Sequence, residues 1–99
     1  TFKTSEGVEL NGWMVKPKDF NPAKKYPVIM YQYGGPGNQQ VLNQWGIGIS
    51  GNGALLEQYL AQEGYICVCV DNRGTGGRGA AFEKCTYLRL GELEARDQV

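Results

Sequence analysis

The sequence predicts an α/β fold: an N-terminal β-hairpin, then one strand–helix–strand unit of a mostly parallel sheet. Three observations carry this reading. Val28-Ile29-Met30 opens a β-prone apolar run that stops at Gly34-Gly35-Pro36-Gly37. Ile66-Cys67-Val68-Cys69-Val70 is a second such run, ending in Asp71-Asn72-Arg73. Between them, Ala54 to Glu63 is amphipathic at helical spacing.

The elements follow in order. Phe2-Lys3-Thr4 and Val8 to Lys16 read as two strands turning at Ser5-Glu6-Gly7. Val8, Leu10 and Met14 alternate onto one face of the second strand, and Trp13 and Val15 onto the other. Asn11-Gly12 is a competing turn signal, stronger on local chemistry alone, but it leaves two very short arms. One long strand with a bulge or bend at Gly12 is preferred. Pro17 ends it, because proline has no N–H to give a ladder. Lys18 to Lys25 is a polar connector, after which Tyr26-Pro27 launches a strand from Val28 to Tyr33. The density of apolar residues in that strand predicts cover on both faces.

Asn38 to Gly53 reads as a long ordered loop anchored by Trp45 and Ile47. In the helix that follows, Leu55, Leu56, Tyr59 and Leu60 form the apolar stripe, with Glu57, Gln58 and Gln62 opposite. Asn52 is placed to cap its start, and Gly64 suits a left-handed stop. Tyr65 to Val70 is the second buried strand. A strand–helix–strand unit of this length predicts parallel strands with a right-handed crossover. A parallel pair needs neighbours, which predicts a third parallel strand beyond Val99. Ala80 to Val99 looks helical with a break at Gly91.

Composition limits the function. Ninety-nine residues make about one small domain, 41% hydrophobic and 20% charged, with ten acids against ten bases. No basic block with interleaved aromatics points to nucleic acid, and no apolar run approaches the roughly 20 residues of a membrane helix. Thr1-Phe2-Lys3 leads straight into strand-like sequence, with none of the pattern of a secretory leader.

Cys67 and Cys69 lie two apart in a strand and share a face, while Cys85 sits elsewhere. With three cysteines and no histidine, the chain suggests neither a disulfide framework nor a zinc site; buried small hydrophobes is the plainer reading. No cofactor or metal is expected.

The candidate chemistry lies in Tyr31-Gln32-Tyr33-Gly34-Gly35-Pro36-Gly37. Glycines there let the backbone come close to a ligand, and Tyr33 presents a hydroxyl at the strand's mouth. Ligands of open α/β sheets sit beyond the carboxyl ends of the strands. Other motifs fail on inspection. Gly48-Ile49-Ser50-Gly51-Asn52 resembles a nucleophile elbow, but Asn52 stands where glycine is required and no strand leads in. Activating a serine in the usual triad takes an imidazole, which these residues do not supply. Gly74-x-Gly76-x-x-Gly79 matches a dinucleotide fingerprint formally. Asp71-Asn72-Arg73 intervene after the strand, however, and the acids downstream lie in helix-like sequence. Asp71 and Arg73 are read as loop-fixing partners. Glu92, Glu94, Arg96 and Asp97 are read as a solvated helix face.

Three stretches together carry a family resemblance. They are Tyr26 to Gly37 followed by Gln39-Gln40-Val41, Val70-Asp71-Asn72-Arg73-Gly74-Thr75-Gly76, and Leu90-Gly91-Glu92-Leu93-Glu94-Ala95-Arg96-Asp97-Gln98-Val99. In this order and spacing the chain resembles the start of the catalytic domain of the prolyl oligopeptidase family of serine peptidases, on its dipeptidyl peptidase IV-like branch. The resemblance covers nearly all of residues 1–99. It implies the N-terminal portion of an α/β-hydrolase domain, reaching about to the strand before the Gly-x-Ser-x-Gly elbow. It further implies release of Xaa-Pro or Xaa-Ala dipeptides from peptide substrates, and a β-propeller partner domain. Tyr33 matches the tyrosine that donates to the oxyanion. The family's triad serine, acid and histidine have no matching positions here, so the segment alone is expected to be inactive. Family precedent suggests a secreted or periplasmic homodimer. Two alternatives stay open: a non-catalytic α/β-hydrolase-fold binding protein, and an acylaminoacyl peptidase or esterase.

Overall fold

The computed structural model describes residues 1–45 and 55–99. In chain order it contains β1 (Phe2–Lys3), β2 (Glu9–Val15), β3 (Val28–Tyr31), α1 (Leu55–Gln62), β4 (Ile66–Asp71), α2 (Ala80–Lys84) and α3 (Glu92–Gln98). The strands form a mixed four-stranded sheet in the order β1-β2-β4-β3. β1 and β2 are antiparallel with Phe2 opposite Leu10, and β3 and β4 are parallel with Val28 opposite Ile66 and Tyr31 opposite Cys69. The hairpin and the parallel strand–helix–strand unit are those expected from the sequence. Contacts group the chain into two units, Thr1–Gly12 with Gln32–Val41 and Val70–Val99, and Trp13–Tyr31 with Leu42–Cys69.

Local chemistry accounts for the boundaries. The hairpin turns at Ser5-Glu6-Gly7, where Gly7 takes φ 78° and its N–H donates to the Thr4 carbonyl at 2.9 Å. β2 runs unbroken through Gly12, so neither the Asn11-Gly12 turn nor a break is present. A seven-residue strand outweighs a two-residue turn signal. Its Leu10 is fully buried, whereas Met14 of the same alternation is 54% exposed. α1 ends as expected. Gly64 adopts φ 91°, its N–H reaches the Ala61 carbonyl, and the Tyr65 N–H reaches Leu60 at 3.0 Å.

Several expectations are corrected. β3 stops at Tyr31, two residues before Tyr33, and its Val28 and Met30 are exposed instead of covered. Trp45, expected as a loop anchor, is fully exposed. In α1 the buried residues are Glu57 and Ala61, one turn apart on a shared face, while Leu55, Leu56 and Tyr59 are exposed. Amphipathic spacing reveals which face is apolar; it does not reveal which face meets a neighbour within these residues. Glu94 and Asp97 are buried, not solvated. The helical segment after Ala80 does break at Gly91, at φ 89°, as expected, but it is also interrupted earlier: α2 ends at Lys84 and Leu88 takes φ 59°. Asn52, Ile47 and Ser50 lie outside the described residues.

The buried side chains of the first unit are Leu10 and a polar set: Asp71, Asn72, Thr75, Thr86, Glu94 and Asp97. Asp97 on α3 is the hub. Its carboxylate takes the Arg73 N–H at 2.7 Å and the Arg73 guanidinium at Nε (3.0 Å) and Nη2 (2.7 Å). Arg73 Nη1 also meets Glu6 of the hairpin turn at 2.9 Å. The charge-assisted fork to Asp97 and the second bond to Glu6 push the Arg73 pKa further up, leaving the guanidinium cationic at every pH of interest. In the second unit Cys67 and Cys69 share the buried face of β4, as their spacing predicts, and burial followed by the nearby Glu57 carboxylate pushes the Cys67 thiol up.

Two predictions follow from this packing. Asp97→Ala removes the charged bonds to the Arg73 main chain and guanidinium while Glu6 remains as an ion-pair partner, so the cost should be about 1.5–3 kcal/mol, the scale of a lost hydrogen bond to a charged group. A lowered urea midpoint should register this, while an unchanged midpoint would remove Asp97 as the hub. Because the folded protein holds the Cys67 proton more tightly than the unfolded chain, this thiol's contribution to stability falls as pH rises past its ordinary value of 9.0. Iodoacetamide at pH 8, mapped by mass spectrometry, should accordingly modify half-buried Cys85 well before Cys67 or Cys69.

Candidate active site

Beyond β3 the chain runs through Gln32 and Tyr33 into Gly34-Gly35-Pro36-Gly37, turning at Pro36-Gly37 with Gly37 at φ 73°. Tyr33, the one residue assigned a chemical role from the sequence, is 54% exposed. A carbon of its ring lies 3.6 Å from where a Cβ on Gly35 would stand, so the ring lies beside Gly35, and at this exposure it is not sealed in a core.

What shapes this loop is the polar triplet after β4. Asp71 is buried, and its carboxylate accepts the main-chain N–H groups of Gln40 at 2.9 Å and Val41 at 2.8 Å. That pins the far end of the glycine loop. Asn72 is fully buried and uses all four of its carboxamide positions. Oδ1 accepts from Gln32 Nε2 and Gln98 Nε2, each at 3.1 Å. Nδ2 donates to the Arg73 carbonyl at 2.6 Å and the Gly34 carbonyl at 3.4 Å. The Asn72 main-chain carbonyl accepts the Thr75 hydroxyl at 2.9 Å. Asp71 and Arg73 are thus loop-fixing residues, as expected from the sequence.

The second glycine loop interlocks with the first. The Gly76 N–H donates to the Asn38 carbonyl at 2.8 Å. A Cβ on Gly77 would fall 2.5 Å from Gln39 Oε1, and one on Gly74 would fall 2.8 Å from Thr86 Cγ2. Glycine in Gly74-x-Gly76-x-x-Gly79 therefore answers loop-to-loop contact and positive φ, at 100° for Gly74 and 84° for Gly77. A cavity of about 480 Å³ lies beside the first loop, lined among others by Gln32, Gly34, Pro36, Leu90, Glu94 and Gln98. Glu94 closes the start of α3 by accepting the Gly91 N–H at 2.9 Å. Among the described residues, no group of three or more His, Cys, Asp or Glu is arranged to hold a metal ion.

Sequence reasoning missed Asn72, Gln98, Glu94 and Asp97 as members of this assembly. A signal existed for the acids: positions 94 and 97 are three apart and fall on one helix face. For Asn72 the signal was an unbroken polar triplet directly after an apolar strand, where buried main-chain groups need partners.

A mixed sheet with a parallel strand–helix–strand unit and a glycine loop after the first of those strands defines an α/β-hydrolase segment. Comparison with known proteins specifies it further. Residues 54–99 match the prolyl oligopeptidase family. Dipeptidyl peptidase 4 of Trichophyton equinum is 42% identical over 98% of the chain, and human dipeptidyl peptidase 8 is 38% identical over 100% of it. The crystal structure of Porphyromonas gingivalis dipeptidyl peptidase 4 superposes with a TM-score of 0.84 at 50% identity, over 97% of this chain and 13% of that one. The chain belongs to the prolyl oligopeptidase family, on its dipeptidyl peptidase IV-like branch. It spans 12% of the Trichophyton relative and 11% of the human one.

Gly34 offers a direct test of the loop's packing. An added Cβ would lie 2.3 Å from Gln32 Nε2 and 2.4 Å from Asn72 Oδ1. The Gln32 amide ends a flexible side chain and can retreat, but Asn72 is buried with every bond made. Gly34→Ala should therefore lower stability by about 1–3 kcal/mol, the scale of an unsatisfied buried polar group. Unfolding at the wild-type midpoint would show that the close approach is not required.

Proposed function

We propose that this chain is the N-terminal portion of the catalytic α/β-hydrolase domain of a serine dipeptidyl peptidase that releases Xaa-Pro or Xaa-Ala dipeptides. Residues 1–99 supply the hydroxyl of Tyr33 to the oxyanion hole, and the remaining polypeptide supplies the nucleophilic serine, the acid and the imidazole. The chain contains no histidine, so on its own it has no base to activate a serine and is inactive. One observation carries the reading. A half-exposed tyrosine directly before two glycines stands in a chain 42% and 50% identical to dipeptidyl peptidases over nearly its full length.

The chemistry suits that placement. When a serine Oγ attacks the scissile carbonyl carbon, the π electrons move to oxygen and a negative charge grows there. A phenolic O–H aimed at that oxygen forms a hydrogen bond that strengthens as the charge develops, which stabilises the transition state more than the bound substrate. The main-chain N–H after the nucleophile is the natural second donor in α/β-hydrolases. No metal or cofactor enters this scheme.

Tyr33→Phe in the full-length enzyme is the decisive measurement. Removing one such donor costs about 3 kcal/mol of barrier, so kcat on an Xaa-Pro amide should fall about 10²–10³-fold while KM changes far less. An unchanged kcat refutes the oxyanion role. Cleavage of acyl esters or N-acylated residues, with Xaa-Pro amides left intact, would assign the enzyme to the esterase or acylaminoacyl class instead.

A further inference from the structure

We propose that Asn72 is a positioning residue for Tyr33: its buried carboxamide grips the chain on both sides of the tyrosine and sets where the phenol points. The proposal rests on the oxyanion reading of Tyr33 and deepens it. On the N-terminal side, Gln32 Nε2 donates to Asn72 Oδ1 at 3.1 Å. On the C-terminal side, Asn72 Nδ2 donates to the Gly34 carbonyl at 3.4 Å. The residue between these two contacts is Tyr33.

The grip is itself held on every side. Asn72 has no exposed surface. Gln98 Nε2 from α3 holds Oδ1 at 3.1 Å, and the Arg73 carbonyl holds Nδ2 at 2.6 Å. Its chain neighbours are pinned as well: Asp71 to the N–H groups of Gln40 and Val41, and Arg73 to Asp97. The glycine at position 34 is what lets the grip close, since a Cβ there would occupy the space of the Gln32 and Asn72 amides.

Such a grip matters because of leverage. A phenol oxygen stands about 6.5 Å from its Cα, so a backbone tilt of about 10° displaces it by about 1 Å, a misplacement that can cost about 10²-fold in rate. Tyr33 is half-exposed and cannot draw a fixed orientation from core packing. Its direction has to come from the main chain that carries it.

Two variants of the full-length enzyme test this, each alone and combined with Tyr33→Phe, with kinetics on an Xaa-Pro amide normalised to folded protein. Asn72→Asp keeps the shape but turns a donor into an acceptor facing the Gly34 and Arg73 carbonyls. Gln32→Met removes the outer contact at an exposed residue and leaves the buried amide intact. The expected result is a kcat lower by about 10–100-fold for Asn72→Asp and about 3–10-fold for Gln32→Met, with KM within about twofold. In the Tyr33→Phe background both changes should cost less than about threefold, because there is no hydroxyl left to misplace.

Full additivity with Tyr33→Phe overturns the proposal, as does a wild-type kcat in both single variants. A merely structural asparagine would lower the melting temperature without this non-additive kcat. If Asn72→Asp fails to fold, Gln32→Met decides alone. The two readings fail distinguishably. A wild-type kcat in Tyr33→Phe removes the oxyanion role and this inference with it, whereas a low kcat in Tyr33→Phe with additive partners removes this inference only.

Discussion

Asn72 is a carboxamide with no exposed surface and no unused hydrogen-bonding position, and the first unit is arranged around that constraint. A buried amide left with a missing partner costs about 1–3 kcal/mol, so its neighbours are not free to move independently. Those four neighbours come from three places: Gln32 and Gly34 from the glycine loop, Arg73 from the adjoining loop, and Gln98 from α3. The residues on either side repeat the pattern, with Asp71 closing on two loop N–H groups and Arg73 forking onto Asp97. Three consecutive polar residues at the end of one strand thus determine the paths of the segments around them.

Polar organisation of this kind differs from an apolar core in what it specifies. Apolar burial is roughly proportional to area and indifferent to direction. A hydrogen bond weakens steeply when its angle fails, so a network of them selects one geometry. The glycines make the network possible by admitting close approach. Gly34 leaves room for two amides, Gly74 for the Thr86 side chain and Gly77 for Gln39. A glycine-rich sequence would ordinarily signal a pliable backbone, yet here bare Cα atoms let buried donors and acceptors meet, which stiffens the loops.

Much of the architecture was legible in sequence. The apolar runs at Val28 and Ile66 and the left-handed Gly64 after the helix state their roles locally, and the hairpin turn at Ser5-Glu6-Gly7 does the same. Tyr33 was legible as a candidate because a tyrosine before paired glycines is chemically specific. Asp71 and Arg73 were legible as loop-fixing residues, but the pairings of the polar network were not, since the partners are far apart in the chain: Asp97 lies 24 residues from Arg73, and Gln32 lies 40 from Asn72. Helical periodicity misled where the covered face was not the apolar one. Leu55, Leu56 and Tyr59 form an apolar stripe that stays exposed, while Glu57 and Ala61 are buried. Trp45 misled for a related reason, because ring size predicts burial only on average and this ring is open to solvent.

Under the oxyanion role proposed for Tyr33, its exposure and the burial of Asn72 answer one physical requirement. A group that is to meet a substrate must keep a free surface, and a free surface forfeits the contacts that would fix its orientation. Orientation then has to be imposed from behind, by main chain whose own position is settled. Preorganised donors are effective in catalysis because the work of aligning them is done during folding and not during the reaction. A polar cluster whose central amide is fully partnered does that work more faithfully than a packed apolar one, because small rotations break its hydrogen bonds. Arg73 extends the same logic outward: kept cationic by Asp97 and Glu6, it ties the end of β4 to α3 and to the hairpin turn, so that the loop bearing Tyr33 inherits the rigidity of elements on both sides.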